Sequence, residues 1–130
     1  MILSLKTDSP LAHIELFDDD SVSIAMEDWQ ADRGLAKGLH THIDELLKTQ
    51  SFGWDDIKGV IIFRGPGSFT GLRIGITVAN ALAYGLDVPV VGETGDDWQS
   101  KALQRLRSGE SDKVVLPHYG SEAHITKPKR

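Results

Sequence analysis

Cysteine is absent from all 130 residues, which excludes a disulfide framework, a thiolate nucleophile and a cysteine zinc site. No apolar run approaches the ~20 residues that a membrane-spanning helix needs. The opening MILSLKTDSP is too short an apolar stretch for a secretory signal. Both absences point to the cytoplasm, with no membrane partner. Positive charge is in deficit: 14 Lys and Arg stand against 19 Asp and Glu, for a formal charge of −5. Such a chain is poorly equipped to grip nucleic acid alone, because phosphate contacts need clustered cations. If RNA is involved, a partner supplies the grip. Aromatics are sparse as well, and Trp29, Trp54 and Trp98 are too scattered for a base-stacking platform.

What is present is ordinary globular composition, in a length that suits one domain. ILSL is a short apolar strand closed by the turn signal TDSP. LAHIELF alternates with the period of a half-buried strand, DDDS turns the chain, and VSIAM alternates again. From about Asp32 the period becomes helical, through Leu35, Leu39, Ile43 and Leu46/Leu47 to about Lys48. GVIIF is a continuous apolar run of the central-strand kind. A glycine-rich turn and a helix to about Tyr84 follow, then VPVV as a buried strand. GDDWQSKALQRLR is a helix with acids at its start and Arg105 and Arg107 at its end. KVVLPHY predicts one more short strand. The order βββαβαβα predicts an α/β mixed sheet with helices on both faces, a ribonuclease-H-like or actin-like half-domain. The expected division is residues 1–110 as that domain and 111–130 as a C-terminal strand and tail.

The stretch FRGPGSFTGLRIGITVANALAYGL feeds a buried strand through a glycine loop into a helix, a geometry that attracts anions. Nucleotide chemistry needs more. A Walker loop ends in Lys followed by Ser or Thr, and the dinucleotide fingerprint needs a third glycine where this chain has Thr70. Neither is met. Gly71, Gly75, Ala79 and Ala83 recur every four residues and form one small-residue stripe. Glycine in a helix interior costs about 0.5–1 kcal/mol relative to Ala, so close contact has to explain it. The stripe can pack on the chain's own sheet or on a partner's helix; phosphate binding is a third reading.

Residues 64–75, RGPGSFTGLRIG, closely resemble the GRGPGSFTGLRIG signature of the TsaB family, also called YeaZ. ILSL, VPVVGE and the tail ITKPK resemble that family's first strand, a later strand and its C-terminal ending. The resemblance implies an actin-like ATPase fold and a noncatalytic subunit of the machinery that makes threonylcarbamoyladenosine beside the anticodon of ANN-decoding tRNAs. It implies a TsaD-like transferase as heterodimer partner, a TsaE-like ATPase joining the complex, and tRNA reached only through that complex. A homodimer and a monomer both stay open for the chain when it is alone. No cofactor is expected on this chain; any ATP, magnesium, zinc or iron belongs to the partner subunits. By the same resemblance, the interface uses the helices around Leu35–Leu47 and Phe69–Ala83, with Leu39, Ile43, Gly71, Leu72, Gly75, Ile76 and Ala79 as exposed contacts. Arg64, Gly65, Pro66, Gly67, Ser68, Phe69 and Thr70 form the glycine loop. Two departures stand out. The family's first strand ends in Asp-Thr, where this chain has Lys6-Thr7, and a Lys there argues against magnesium-dependent catalysis. Usual members also carry a second domain before the tail, so the resemblance is to a minimal member.

Other groupings have simpler readings. His40 and His42 point roughly 200° apart on a helix and cannot ligate one metal together, while His40 with Asp44 is a solvated i, i+4 pair. Asp18, Asp19 and Asp20 suit a hairpin turn. A ribonuclease-H-type nuclease needs a carboxylate where Lys6 stands. Ser68 and Thr70 lack an evident base, and Ser68 suits a helix N-cap. Arg64 and Arg73 can reach across an interface or pair on the surface, and the KPKR tail is a solvated basic end. Two other functions remain open at this point: a weak sugar-kinase-like ATPase using the loop, or a self-contained homodimeric interaction protein.

Overall fold

Alternation of apolar and polar residues in the N-terminal segment produces three antiparallel strands, β1 (Ile2–Lys6), β2 (Leu11–Phe17) and β3 (Ser23–Gln30). A computed structural model describes residues 1–31, 34–67 and 69–119, apart from the side chain of Phe69. Helix α1 (Leu35–Thr49) follows, then β4 (Gly59–Phe63), α2 (Phe69–Leu86), β5 (Val90–Glu93) and α3 (Trp98–Arg107). The five-stranded sheet has the order β3-β2-β1-β4-β5. β4 is parallel to both β1 and β5. The βββαβαβα order and the mixed α/β sheet are therefore as expected from the sequence.

Strand register sorts side chains onto the two faces, because the period is two. Leu3, Leu5 and Thr7 share a face with Ala12, Ile14, Leu16, Val60 and Ile62, and α1 and α2 cover it. Leu39, Ile43 and Leu47 of α1, with Leu72, Ile76 and Ala79 of α2, complete that core layer. The opposite face is partly covered by α3, through Trp98, Ala102 and Leu103, and Trp98 meets Phe63 edge-on at 5.8 Å. β4 is buried at every residue, as its unbroken apolar run requires.

One polar group lies deep on the α3 face. Glu15 of β2 is buried and accepts a hydrogen bond from Gln99 Nε2 at 3.0 Å, while His13 Nε2 lies 3.0 Å from the same oxygen. Burial alone would raise this carboxyl, but the bonds from His13, Ser23 and Gln99 outweigh it and hold Glu15 below the ordinary carboxylate range. A carboxylate depressed on folding stabilises the fold above its unfolded value and loses that contribution as pH falls through the folded value. Glu15→Gln should therefore lower the thermal midpoint most at pH 7, and the deficit should shrink when melting is repeated near pH 3.

Two expectations need correction. β3 runs on through Glu27, Asp28 and Trp29 to Gln30, because β2 supplies ladder partners for all of them. The span 113–119 is not a strand: Lys113 has a positive φ of 65° and Pro117 cannot donate, so the chain lies as an irregular strap beside β5. Helix α1 is described from Leu35; Asp32, the tail ITKPK and the Ser68 cap lie outside the described residues.

Candidate functional site

β4 delivers Arg64 and the glycine loop to the end of the sheet where β1 also finishes, so Lys6, Thr7 and Asp8 stand beside it. Gly65 has φ +129°, a conformation that L side chains rarely adopt, and a Cβ there would collide with the carbonyl oxygen of His118. A Cβ on Gly67 would come 2.5 Å from Asp8 Cβ, and one on Gly71 would come 2.6 Å from the Thr7 carbonyl oxygen. On Gly75 it would overlap Thr7 Oγ1. Thr7 is fully buried and its hydroxyl donates to the Gly71 carbonyl at 2.8 Å. The loop and helix glycines thus make room for the chain's own backbone, and the stripe of α2 packs on the end of β1.

Lys6, Lys101 and Arg105 at this end of the sheet are each matched by acids. Lys6 Nζ lies 2.7 Å from Asp8 and 4.7 Å from the centre of the Phe63 ring. Lys101 pairs with Asp97 and Glu93 at 3.4 and 3.7 Å. Arg105 engages Asp112, Glu110 (2.8 Å) and Glu93 (3.2 Å), and the bonds to Asp112 and then Glu110 raise its already high pKa. Burial would raise the Asp112 carboxyl, yet Arg105, the Gly92 N–H and the charge of Arg64 together hold it below the usual range. Arg64 itself donates a long bond, 3.4 Å, to the Leu116 carbonyl. Arg73 is exposed on α2, and it is the only charged residue between Phe69 and Leu86.

Of the interface contacts expected from the sequence, all but the half-buried Gly71 lie off the surface. Leu39, Ile43, Leu72, Ile76 and Ala79 are buried in the core layer, and Gly71 and Gly75 face Thr7. Their apolar spacing marks the side of each helix that meets the sheet. The outward side of α2 carries exposed Thr70, Thr77, Ala81 and Tyr84 with half-buried Ile74, Val78 and Leu82. Tyr84 is 91% exposed. At its head, Thr70, Gly71 and Ile74 line a groove of about 200 Å³ with Leu35, Ala31, Pro10 and Ser9. Sequence reasoning passed over this face, although a helix of 18 residues with a single charge was a usable signal.

The remaining groupings resolve into local contacts. His40 stacks on Trp54 at 5.0 Å, and His42 stacks on Trp29 at 4.0 Å while its Nδ1 lies 2.6 Å from Glu27. Asp44 accepts from Trp54 Nε1 and pairs with Lys48. Asp18 Oδ1 accepts from the N–H groups of Asp20 and Val22, closing the hairpin as its acids suggested. No group of three His, Cys, Asp or Glu among the described residues could hold a metal. No helix among them is long and apolar enough to cross a membrane.

The model of the family "TsaD: tRNA N6-adenosine threonylcarbamoyltransferase" matches residues 29–94. The tRNA threonylcarbamoyladenosine biosynthesis protein TsaB of Haemophilus influenzae is 41% identical over 101 residues, spanning 74% of this chain and 43% of that protein. The protein of the same name from Escherichia coli is 33% identical over 91 residues, with 70% and 38% covered. Other matched relatives carry the transferase's name. Among solved structures, YeaZ from Pseudomonas aeruginosa superposes with a TM-score of 0.65 at 27% identity, covering 72% of this chain and 43% of that one. The chain thus spans less than half the length of these relatives.

Proposed function

We propose that this chain, which belongs to the TsaB (YeaZ) family, is a noncatalytic assembly subunit in threonylcarbamoyladenosine biosynthesis on tRNA and binds a TsaD-like transferase. The observation that carries this reading is the outer face of α2. It is an uncharged strip with Arg73 at its edge and a shallow groove at its head, while the inner glycine stripe is filled by Thr7. Charge-depleted surfaces with a few half-buried aliphatic side chains are the usual core of a protein interface. The loop end of the sheet supports the noncatalytic part: Lys6, Lys101 and Arg105 are each held by the chain's own carboxylates, so they are poorly placed to meet a nucleotide phosphate. In this reading a TsaE-like ATPase joins the assembly, ANN-decoding tRNA is engaged through the complex, and ATP, magnesium and zinc or iron belong to the other subunits.

Size exclusion with light scattering, on this chain mixed with TsaD from the same organism, tests the reading. A one-to-one complex is expected. Thr77→Glu and Ala81→Glu, both on exposed positions, should weaken it by about tenfold or more while leaving the melting temperature nearly unchanged. Separate elution of both wild-type proteins would sink the proposal, and an unaffected complex in the variants would move the interface off α2.

A further inference from the structure

The strap beside β5 is tied down along its length, yet it turns apolar side chains to solvent. Val90 N–H donates to Ser111 Oγ at 3.2 Å, and Val90 C=O accepts from Asp112 N–H at 2.8 Å. Gly92 N–H donates to Asp112 Oδ2 at 2.9 Å, and Gly92 C=O accepts from Arg105 at 3.3 Å. Further on, the side-chain amide of Asn80 on α2 holds both the N–H and the C=O of Val115. Val115 is buried against Gly92, where a Cβ would come 2.4 Å from Val115 Cγ1. Its neighbours turn the other way: Val114 is 62% exposed and Leu116 is 69% exposed. Tyr84 stands beside them. At about 100° per residue, Arg73 and Tyr84 lie within roughly 40° of Asn80 around α2, on the flank that Asn80 ties to the strap. Side chains ordered in advance in this way lose little freedom on contact.

The charges around this apolar group are cationic, although the whole chain carries −5. Arg73 and Lys113 are exposed. Arg64 lines a cavity of about 450 Å³ with Val114 and Leu116, and its bond to the Leu116 carbonyl is long, at 3.4 Å. The acids of that cavity, Glu93 and Asp112, are both engaged by Arg105. We propose that the strap is the second half of the docking surface on α2. Tyr84, Val114 and Leu116 take apolar side chains of the partner, and Arg64, Arg73 and Lys113 take carboxylates at their margin. The partner is the TsaD-like transferase, so the inference rests on that reading. It adds the kind of partner segment that fits: apolar at its centre and rimmed by Asp or Glu. Apolar patches bordered by polar groups mark such contacts, and rim charges of one sign speed the encounter at low salt.

Titration calorimetry of the full chain with the transferase, joined to hydrogen exchange on the complex, tests this. The double variant Val114→Glu, Leu116→Glu should weaken binding by about tenfold or more. Its melting temperature should be nearly unchanged, because both positions are exposed. Arg73→Glu with Lys113→Glu should weaken binding by about tenfold at low salt and flatten its dependence on salt. Val22→Glu, equally exposed but on the turn between β2 and β3, should bind like the wild type. In the unmodified complex, the amides of 114–116 should exchange about tenfold or more slowly than in the free chain, a readout that no substitution disturbs. Full affinity in the strap double variant, or unchanged exchange at 114–116, overturns the proposal and leaves the α2 reading standing. Absence of any wild-type complex removes both. Slowed exchange at the same amides when this chain alone is concentrated would put a second copy on the strap, and overturns it too.

Discussion

Gly75→Leu should cost this protein about 3 kcal/mol or more and lower its thermal midpoint by roughly 10 °C or more. Helix propensity predicts the opposite sign, because replacing a mid-helix glycine normally gains up to about 1 kcal/mol. Tertiary contact wins here. The first side-chain atom at 75 falls on Thr7 Oγ1, and Thr7 is a fully buried residue at the end of a central strand. Neither side can yield, since Thr7 is tied to the Gly71 carbonyl and β1 is held between β2 and β4. The double-mutant cycle with Gly75→Ala and Thr7→Ala should show coupling of about 1 kcal/mol or more in the relieving direction. Gly85 is the control. It lies in the same helix, and a Cβ added to it would meet nothing within 4 Å, so Gly85→Ala should stabilise by about 0.5–1 kcal/mol. If Gly75→Leu melts like the wild type, the account of the stripe as intrachain packing is wrong.

Arg105→Ala should cost about 2–3 kcal/mol, less than the fully buried limit because the guanidinium keeps some solvent contact. The loss is concentrated on one side of the molecule. Arg105 holds Asp112, Glu110, Glu93 and the Gly92 carbonyl at once, and Asp112 in turn caps the outer edge of β5. Without it, Asp112 is a half-buried carboxylate left with only the weaker influence of the Arg64 charge. Hydrogen exchange should quicken at the Gly92 amide and along 111–116, while the amides of β2 keep their protection. Arg105→Lys should recover only part of the loss, because one ammonium cannot reproduce the guanidinium fork. Uniform loss of protection across the sheet would show instead that the strap and the core unfold together.

How far the sequence could be read depended on whether a pattern is local. Alternation in LAHIELF and the unbroken GVIIF specify their strands without help, and the helical spacing through Leu35, Leu39, Ile43 and Leu46/Leu47 places the end of α1 to within a residue or so. The same spacing could not say what the apolar side of a helix meets. Leu39, Ile43, Leu72, Ile76 and Ala79 were expected, by resemblance, to face a partner, and the chain's own sheet took them. Only the complement, the charge-poor side of α2, was left to offer. The strap was beyond local reading for another reason. Its anchors are distant in sequence: Asn80 exchanges hydrogen bonds with Val115 at 3.0 and 2.9 Å, and His118 N–H donates to the Arg64 carbonyl at 2.6 Å. Valine-rich KVVLPHY has strand composition, but pairing with side chains and not with a ladder decides its shape.

The strap also gives the chain a last step in its making. Synthesis proceeds from the N-terminus, and the β1–β2–β3 meander can close from neighbouring residues as it emerges. β5 leaves the ribosome with its outward groups bare, because Ser111, Asp112 and Val115 are still to come. For that interval the nascent sheet has two unfinished sides, and the one beside Gly92 is sealed only when Val115 drops into the space that the missing side chain leaves. A nascent chain stalled before Ser111 would therefore be stickier than the released protein, and its β5 side would be the place where a chaperone finds it.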